Sequence, residues 1–326
     1  MFECAREMKR ASAIACMLFL VTVHAAAQEP RTGEQFNNRG LQRQNQGDID
    51  GAIADFTAGI GRGGQPPLVA ALYYNRANAL AAKNDWEGAI KDYSKAIGIQ
   101  SGDPDMYFNR GVAYLTLADY DHAIADFSRA IEIQPRSPVA YNNRANARRG
   151  KGDLEGAIAD YTKAVELIPK YAEAFYNRGA AHHLKNELDE AIKDDSAAIA
   201  LNPEFVDAYV NRGLVYQAKK NFDAAIADFT AAIKLKPDDW TIYYSRAAVR
   251  QEAKDLNNAL ADYSKVIELE PTHAEALANR GVVEILLGKK TEAMRDFDQA
   301  FKLNPDLREQ YKEFIEGQRR KPNRQI

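Results

Sequence analysis

The feature that most constrains this chain is a period. The triplet Asn-Arg-Gly/Ala stands at Asn75-Arg76-Ala77, Asn109-Arg110-Gly111, Asn143-Arg144-Ala145, Asn177-Arg178-Gly179, Asn211-Arg212-Gly213 and Asn279-Arg280-Gly281, with Ser245-Arg246-Ala247 between the last two, all in register at 34 residues. One more copy, Asn38-Arg39-Gly40, lies 37 residues before Asn75. A second motif, Ala-Ile-x-Asp-aromatic and close variants, follows each triplet at a fixed offset, opening at Ala52, Ala89, Ala123, Ala157, Ala191, Ala225, Ala259 and Ala293. A period of this length describes copies of one supersecondary unit, stacked because no single copy can bury its apolar face alone.

Inside a copy, apolar residues recur at helical spacing twice over, as in Tyr107, Gly111, Tyr114 and then Tyr120, Ala123, Ile124, Phe127, Ala130, Ile131. That pattern predicts two amphipathic helices, A and B, in antiparallel contact. Asp48, Asp85, Asp119, Asp153, Asn221 and Asp255 precede helix B and are expected to cap it. Pro135, Pro169, Pro203, Pro237, Pro271 and Pro305 are expected to stop it. Gly40, Gly111, Gly179, Gly213 and Gly281 fall mid-helix, where Gly costs about 1 kcal/mol against Ala. Close approach of the two helices offsets that cost, and we expect each glycine to face the Ala of the Ala-Ile pair. The triplet arginine and the motif aspartate co-occur in every copy, Arg110 with Asp126 and its seven equivalents, which predicts an interhelical ion pair per repeat. Eight copies of one charge pair suit a scaffold better than catalysis.

Counting from Pro104, large apolar residues stand at the fourth and eleventh places (Tyr107, Tyr114) and a small one at the eighth (Gly111). Tyr120, Ala123, Phe127, Ala130 and Pro135 fill the seventeenth, twentieth, twenty-fourth, twenty-seventh and thirty-second. The pattern resembles the tetratricopeptide repeat, TPR, over roughly 33–305. The resemblance implies an all-α fold, a right-handed superhelical solenoid of stacked antiparallel helix pairs. Eight repeats are expected, at about 33–69, 70–103, 104–137, 138–171, 172–205, 206–239, 240–273 and 274–305. The first is frayed, with Arg43 at an aromatic place and Gly59 at an alanine place, as terminal repeats often are. Gly61 to Pro67 is expected to form a loop that holds the three extra residues. After Pro305, residues 306–317 carry Leu307, Tyr311, Phe314 and Ile315 on one face and predict a capping helix. A basic tail, 318–326, follows.

Lys9 and Arg10, an apolar run from Ala11 to Val23 and then Ala25-Ala26-Ala27 predict a cleaved secretory signal over 1–27, with 28–32 a polar linker. The apolar run is short of the roughly 20 residues a membrane span requires. A start at Met8 would give an equally good leader. Cys4 and Cys16 both lie within it, so the mature chain has no thiol for a disulfide or metal site. With 43 Lys and Arg against 46 Asp and Glu, the balance points neither to nucleic acid nor to an anionic membrane.

No enzyme, metal or cofactor is expected. His182 and His183 are neighbours on a helix, about 100° apart, and badly placed to share one ion. No phosphate-cradling loop or nucleophile elbow is present. The TPR resemblance implies a concave groove lined by the second, fifth, sixth, ninth and twelfth places of helix A. The sixth place holds Asn38, Asn75, Asn109, Asn143, Asn177, Asn211 and Asn279, with Ser245 the exception. A row of carboxamides can bond the backbone of an extended peptide, as in the similar asparagine ladder of O-linked N-acetylglucosamine transferases; alternatively each Asn bonds a neighbouring turn. Tyr74, Phe108, Tyr176 and Tyr244 take the fifth place, alternating with Asn37, Asn142 and Val210, and supply anchor area. Glu34, Asp105, Glu173, Asp207 and Glu275 edge the groove with carboxylate, favouring neutral or basic ligands and departing from the Lys/Arg clamp of chaperone-binding TPR proteins. Asp195 breaks the pattern, a carboxylate at an aromatic place, and predicts a looser fifth repeat. The expected function is an exported scaffold, periplasmic in a two-membrane bacterium, that binds protein or peptide segments. The alternative is a structural subunit of an envelope secretion or polysaccharide-export assembly. Neither the partner nor the oligomeric state is encoded legibly.

Overall fold

The computed structural model describes residues 30–319, and among these are seventeen α-helices and no strand. The signal segment with its cleavage point, and residues 320–326 of the basic tail, lie outside the described residues. The chain divides between Ile133 and Gln134 into two compact units. The first holds three helix pairs: α1 (Gly33–Asn45) with α2 (Ile49–Arg62), α3 (Pro66–Ala82) with α4 (Trp86–Ile99), and α5 (Pro104–Thr116) with α6 (Tyr120–Ile133). The second holds five more. These are α7 (Pro138–Lys151) with α8 (Leu154–Leu167), α9 (Ala172–Leu184) with α10 (Leu188–Leu201), α11 (Val206–Ala218) with α12 (Phe222–Leu235), α13 (Trp240–Glu252) with α14 (Leu256–Leu269), and α15 (Ala274–Leu286) with α16 (Lys290–Leu303). A final helix, α17 (Leu307–Arg319), follows. Within each unit helix B packs on the next helix A, and successive A helices also touch while successive B helices do not to the same degree. Helix A therefore lines the inner side of each unit.

The expected caps form at Asp48, Asp85 and Asp153, whose carboxylates accept the backbone N–H three residues on at 2.9 Å, and at Asp119 and Asn221 at 3.3 Å. Asp255 is the exception, because the Asn258 carboxamide occupies its carboxylate at 2.8 and 3.0 Å. Helix B stops two residues before each proline, at Ile133, Leu167, Leu201, Leu235, Leu269 and Leu303. Each A-to-B turn passes through one left-handed residue: Gly47, Asn84, Ala118, Gly152, Asn186, Lys220, Lys254 or Gly288. The loop expected from Gly61 to Pro67 is shorter than that. Helix α2 runs to Arg62 and α3 starts on Pro66, since a proline without an N–H costs nothing in a first turn. The insertion therefore mostly lengthens α3, to 17 residues against 13 in α5.

The mid-helix glycines need correction. A Cβ on Gly40, Gly111, Gly213 or Gly281 would first meet the helix-B ring one turn beyond the expected alanine, coming within 2.5 Å of Phe56, 2.9 Å of Phe127, 3.0 Å of Phe229 and 3.1 Å of Phe297. Glycine makes room for a ring, not for a methyl group. Where the triplet carries Ala77, Ala145 or Ala247 the ring is tyrosine, and its hydroxyl reaches a polar partner: Tyr93 to Asn78 at 2.6 Å, Tyr161 to Asn146 at 2.5 Å, Tyr263 to Gln251 at 3.0 Å. A buried hydroxyl requires such a partner, so ring and triplet residue change together.

Candidate functional site

The arginine of every triplet grips its aspartate with both arms. Nε donates to one carboxylate oxygen and Nη2 to the other, in all eight repeats, at 2.6–2.9 Å. The aspartates are only 2–6% exposed, so removing the arginine from a pair would strand a buried charge. In six repeats the third arm, Nη1, reaches a hydroxyl on the preceding helix B: Thr57, Ser94, Thr162, Ser196, Thr230 or Ser264, at 2.8–3.2 Å. One side chain thus ties two repeats. The fourth-place rings lie under the guanidinium, as Phe175 does 5.4 Å from Arg178. Arg43, Arg148 and Arg250 add a second cation to Asp55, Asp160 and Asp262. Arg43 at an aromatic place is therefore a reinforced clamp.

The sixth-place carboxamides lie on helix A and are largely committed to neighbours. Asn75 donates to Asn37 at 2.9 Å, Asn109 to the Tyr74 hydroxyl at 2.7 Å, Asn177 to Asn142 at 3.2 Å and Asn279 to the Tyr244 hydroxyl at 2.9 Å. In each case the acceptor is the fifth-place residue of the repeat before. Opposite Val210, which has no acceptor, Ser245 turns back on its own helix to the Thr241 carbonyl, and Asn143 likewise bonds the Val139 carbonyl of its own helix. Asn38, in the first repeat, is exposed. Asn279 also accepts from Tyr311 of α17, whose buried Leu307 and Ile315 cap the last repeat as expected. The fifth and sixth places are thus read as pairs in these repeats, with Asn211 the exception because it donates to Asp195 and not to the Tyr176 hydroxyl; single-repeat counting misses the pairing although both residues stand in the sequence.

Of the fifth-place rings, Tyr74 packs on Tyr93 at 5.8 Å, Phe108 on Phe127 at 5.6 Å and Tyr244 on Tyr263 at 5.8 Å, each on the ring of its own helix B. Tyr176 has no such ring to meet, because Asp195 stands there. It packs on Phe205, the residue just before the next helix A, 5.0 Å between centroids, as Tyr244 also packs on His273 at the equivalent place, 5.1 Å. Tyr171, Ala172, Glu173, Tyr176, Asn177, Asn202, Phe205 and Asp207 line a cleft of about 510 Å³ at this point. Burial and then Asp207 raise the Tyr176 hydroxyl pKa, with Arg149 pulling it down. Tyr171 and Phe205 were not among the expected site residues. Their signal was readable, since both occupy the place where Asp103, Ser137 and Asp239 cap helix A.

Asp195 itself is fully buried. Its Oδ2 accepts from Asn211 at 2.7 Å, its Oδ1 has no partner, and burial pushes its pKa up to about 8. Asn211 in turn faces His183 Nδ1 at 3.2 Å, while His182 bonds Glu187 at 2.6 Å, so the adjacent histidines serve different partners. Among the described residues no group of acidic, His and Cys side chains is placed to hold a metal, and no helix is long and apolar enough to cross a membrane.

Models of the TPR repeat match residues 77–117, 145–186 and 181–220, and models of the tetratricopeptide repeat match 104–137, 206–239, 241–273 and 274–307. No curated protein matches the chain. Among solved structures, YrrB, described as a TPR protein with an unusual peptide-binding site, is 28% identical with TM-score 0.50, over 55% of this chain and 93% of YrrB. The C-terminal part of a TPR repeat-containing protein from Cytophaga hutchinsonii is 21% identical with TM-score 0.62, over 71% and 95%. Pseudomonas aeruginosa PilF is 21% identical with TM-score 0.56, over 66% and 97%. These last two share the fold. This chain belongs to the tetratricopeptide repeat family and is built as a protein-interaction scaffold.

Proposed function

We propose that the chain binds an extended protein segment along the helix-A face, and that it does so outside the cytoplasm, after removal of residues 1–27. The observation that carries the reading is the state of the inner-face amides. Asn75, Asn109, Asn177 and Asn279 each spend one N–H on the preceding repeat, and a carboxamide has two N–H groups and two lone pairs. The inter-repeat bond fixes the amide's orientation, so a peptide backbone meets a preorganised group and little rotamer entropy is lost on binding. The half-buried rings of Tyr74, Phe108, Tyr176 and Tyr244 add apolar area beside them. The likeness to YrrB, a TPR protein with a peptide-binding site, supports the same use of this architecture.

The test is a displayed library of random dodecapeptides panned on the full chain and on Asn109→Ala/Asn177→Ala/Asn279→Ala. Enrichment on the parent that is lost on the variant, at a temperature where both are folded, supports the groove. Equal enrichment on both sinks it. Export is tested separately by sequencing the N-terminus of the protein recovered from the envelope or medium, which should begin at Gln28.

A further inference from the structure

Two successive helix-A starts, at Tyr171 and Phe205, depart from the pattern and line one cleft, and Asp195 departs on the helix B between them. Asp195 removes the helix-B ring on which Tyr74, Phe108 and Tyr244 rest in their own repeats, and Tyr176 keeps the contact to Phe205 that Tyr244 also makes to His273. Tyr171 and Phe205 stand where an oxygen would cap helix A, and α9 and α11 accordingly have no side-chain cap. A chain that gives up a ring socket and two caps loses stability at each, yet the losses produce three aromatic side chains around one opening.

Glu173 and Asp207 edge that opening. Both are exposed, and among the described residues neither has a basic partner. Each sits in a helix first turn, but a full carboxylate charge exceeds the roughly half charge of the helix end beneath it. The cleft lining is therefore negative and aromatic, with Arg149 acting on Tyr176 from outside that lining. Ring faces attract cations, more strongly where water is partly excluded. An acidic ligand group would meet like charge, and a purely apolar one would desolvate the carboxylates for no return.

We propose that this cleft takes the lysine or arginine side chain of a partner's extended segment, which rests on the inner-face reading above and gives it a charge. The aliphatic stem lies against Tyr176 and Phe205, and the cationic head lies between Glu173 and Asp207.

The probe is a pair of fluorescent dodecapeptide pools, identical except that one carries Lys or Arg where the other carries Gln. The parent chain should bind the basic pool at least tenfold more tightly, with an advantage that shrinks in high salt. Glu173→Gln/Asp207→Asn, both at exposed positions, should erase that advantage, bringing the two pools to equal affinity. Phe205→Asn, which restores a helix cap without adding charge, should weaken the basic pool at least fivefold at a temperature where it and the parent are both folded. Equal affinity of the two pools for the parent overturns the basic-side-chain assignment and leaves the groove reading standing. Binding of neither pool removes both. An advantage that survives Glu173→Gln/Asp207→Asn places the cation elsewhere and overturns the cleft.

Discussion

In repeat three Phe127 lies fully buried against Gly111, with Phe108 beside it at 5.6 Å; in repeat five the same place holds Asp195, equally buried, with one oxygen bonded to Asn211 and the other to nothing. The clamps of the two repeats are alike: Arg110 holds Asp126 at 2.8 Å on both arms, and Arg178 holds Asp194 at 2.7 Å. The helix pair thus forms with or without the central ring, provided the bidentate pair is intact. What the ring adds is local, namely a partner for the fifth-place side chain on its own helix B. Phe108 has one in Phe127 and Tyr244 one in Tyr263, whereas Tyr176 has only the contact to Phe205 that Tyr244 also makes to His273.

The comparison can be broken first at what the repeats share. Arg110→Ala and Arg178→Ala should each cost about 3–5 kcal/mol, because each strands a buried carboxylate, and thermal melts should show equal losses. A melt unmoved by Arg110→Ala would refute the clamp. The next effect belongs to repeat five alone. Folding raises the Asp195 pKa from 3.8 to about 8, so the native state binds the extra proton. Its stabilising contribution is fully present below about pH 4 and is lost as pH rises towards 8. Asp195→Asn, neutral throughout, should match the parent below about pH 4 and exceed it by a few kcal/mol near pH 8; urea melts at pH 4 and pH 8 that track together would rule this out. Asp195→Phe makes repeat five resemble repeat three, and at pH 5 should add about 2 kcal/mol as a filled ring site replaces a half-bonded carboxyl group. The smallest change sharpens the contrast at the helix start. Tyr171→Asp should return about 1 kcal/mol of capping, read as a rise in melting temperature.

Much of this was legible from the spacing. The eight helix pairs, the proline stops, the Arg–Asp pairing and the α17 cap follow from residue type at fixed places, because each is a contact within one repeat or between chain neighbours. The ring beneath each glycine was not, since Ala123 and Phe127 share a helix face one turn apart and only the helix crossing chooses between them. The third arm of the arginine escaped notice although Thr57, Ser94, Thr162, Ser196, Thr230 and Ser264 recur in register. Its partner lies across the stack, where a periodic sequence gives every repeat the same apparent neighbour. The candidate site was half legible in the same way. Asn109 and Tyr74 could be placed on one face but not paired, because a carboxamide on a helix has several acceptors within reach and the spacing of adjacent helices selects one.

By itself the sequence determined the unit, its ends, its number of copies and its charge pair, since these rest on local periodicity and on oxygens and prolines at helix termini. Only the tertiary structure decided that Tyr171, Tyr176 and Phe205 share a cleft with Glu173 and Asp207. Those residues stand at two successive helix-A starts 34 residues apart in the sequence, and only the packing of one repeat on the next brings Tyr176 against Phe205.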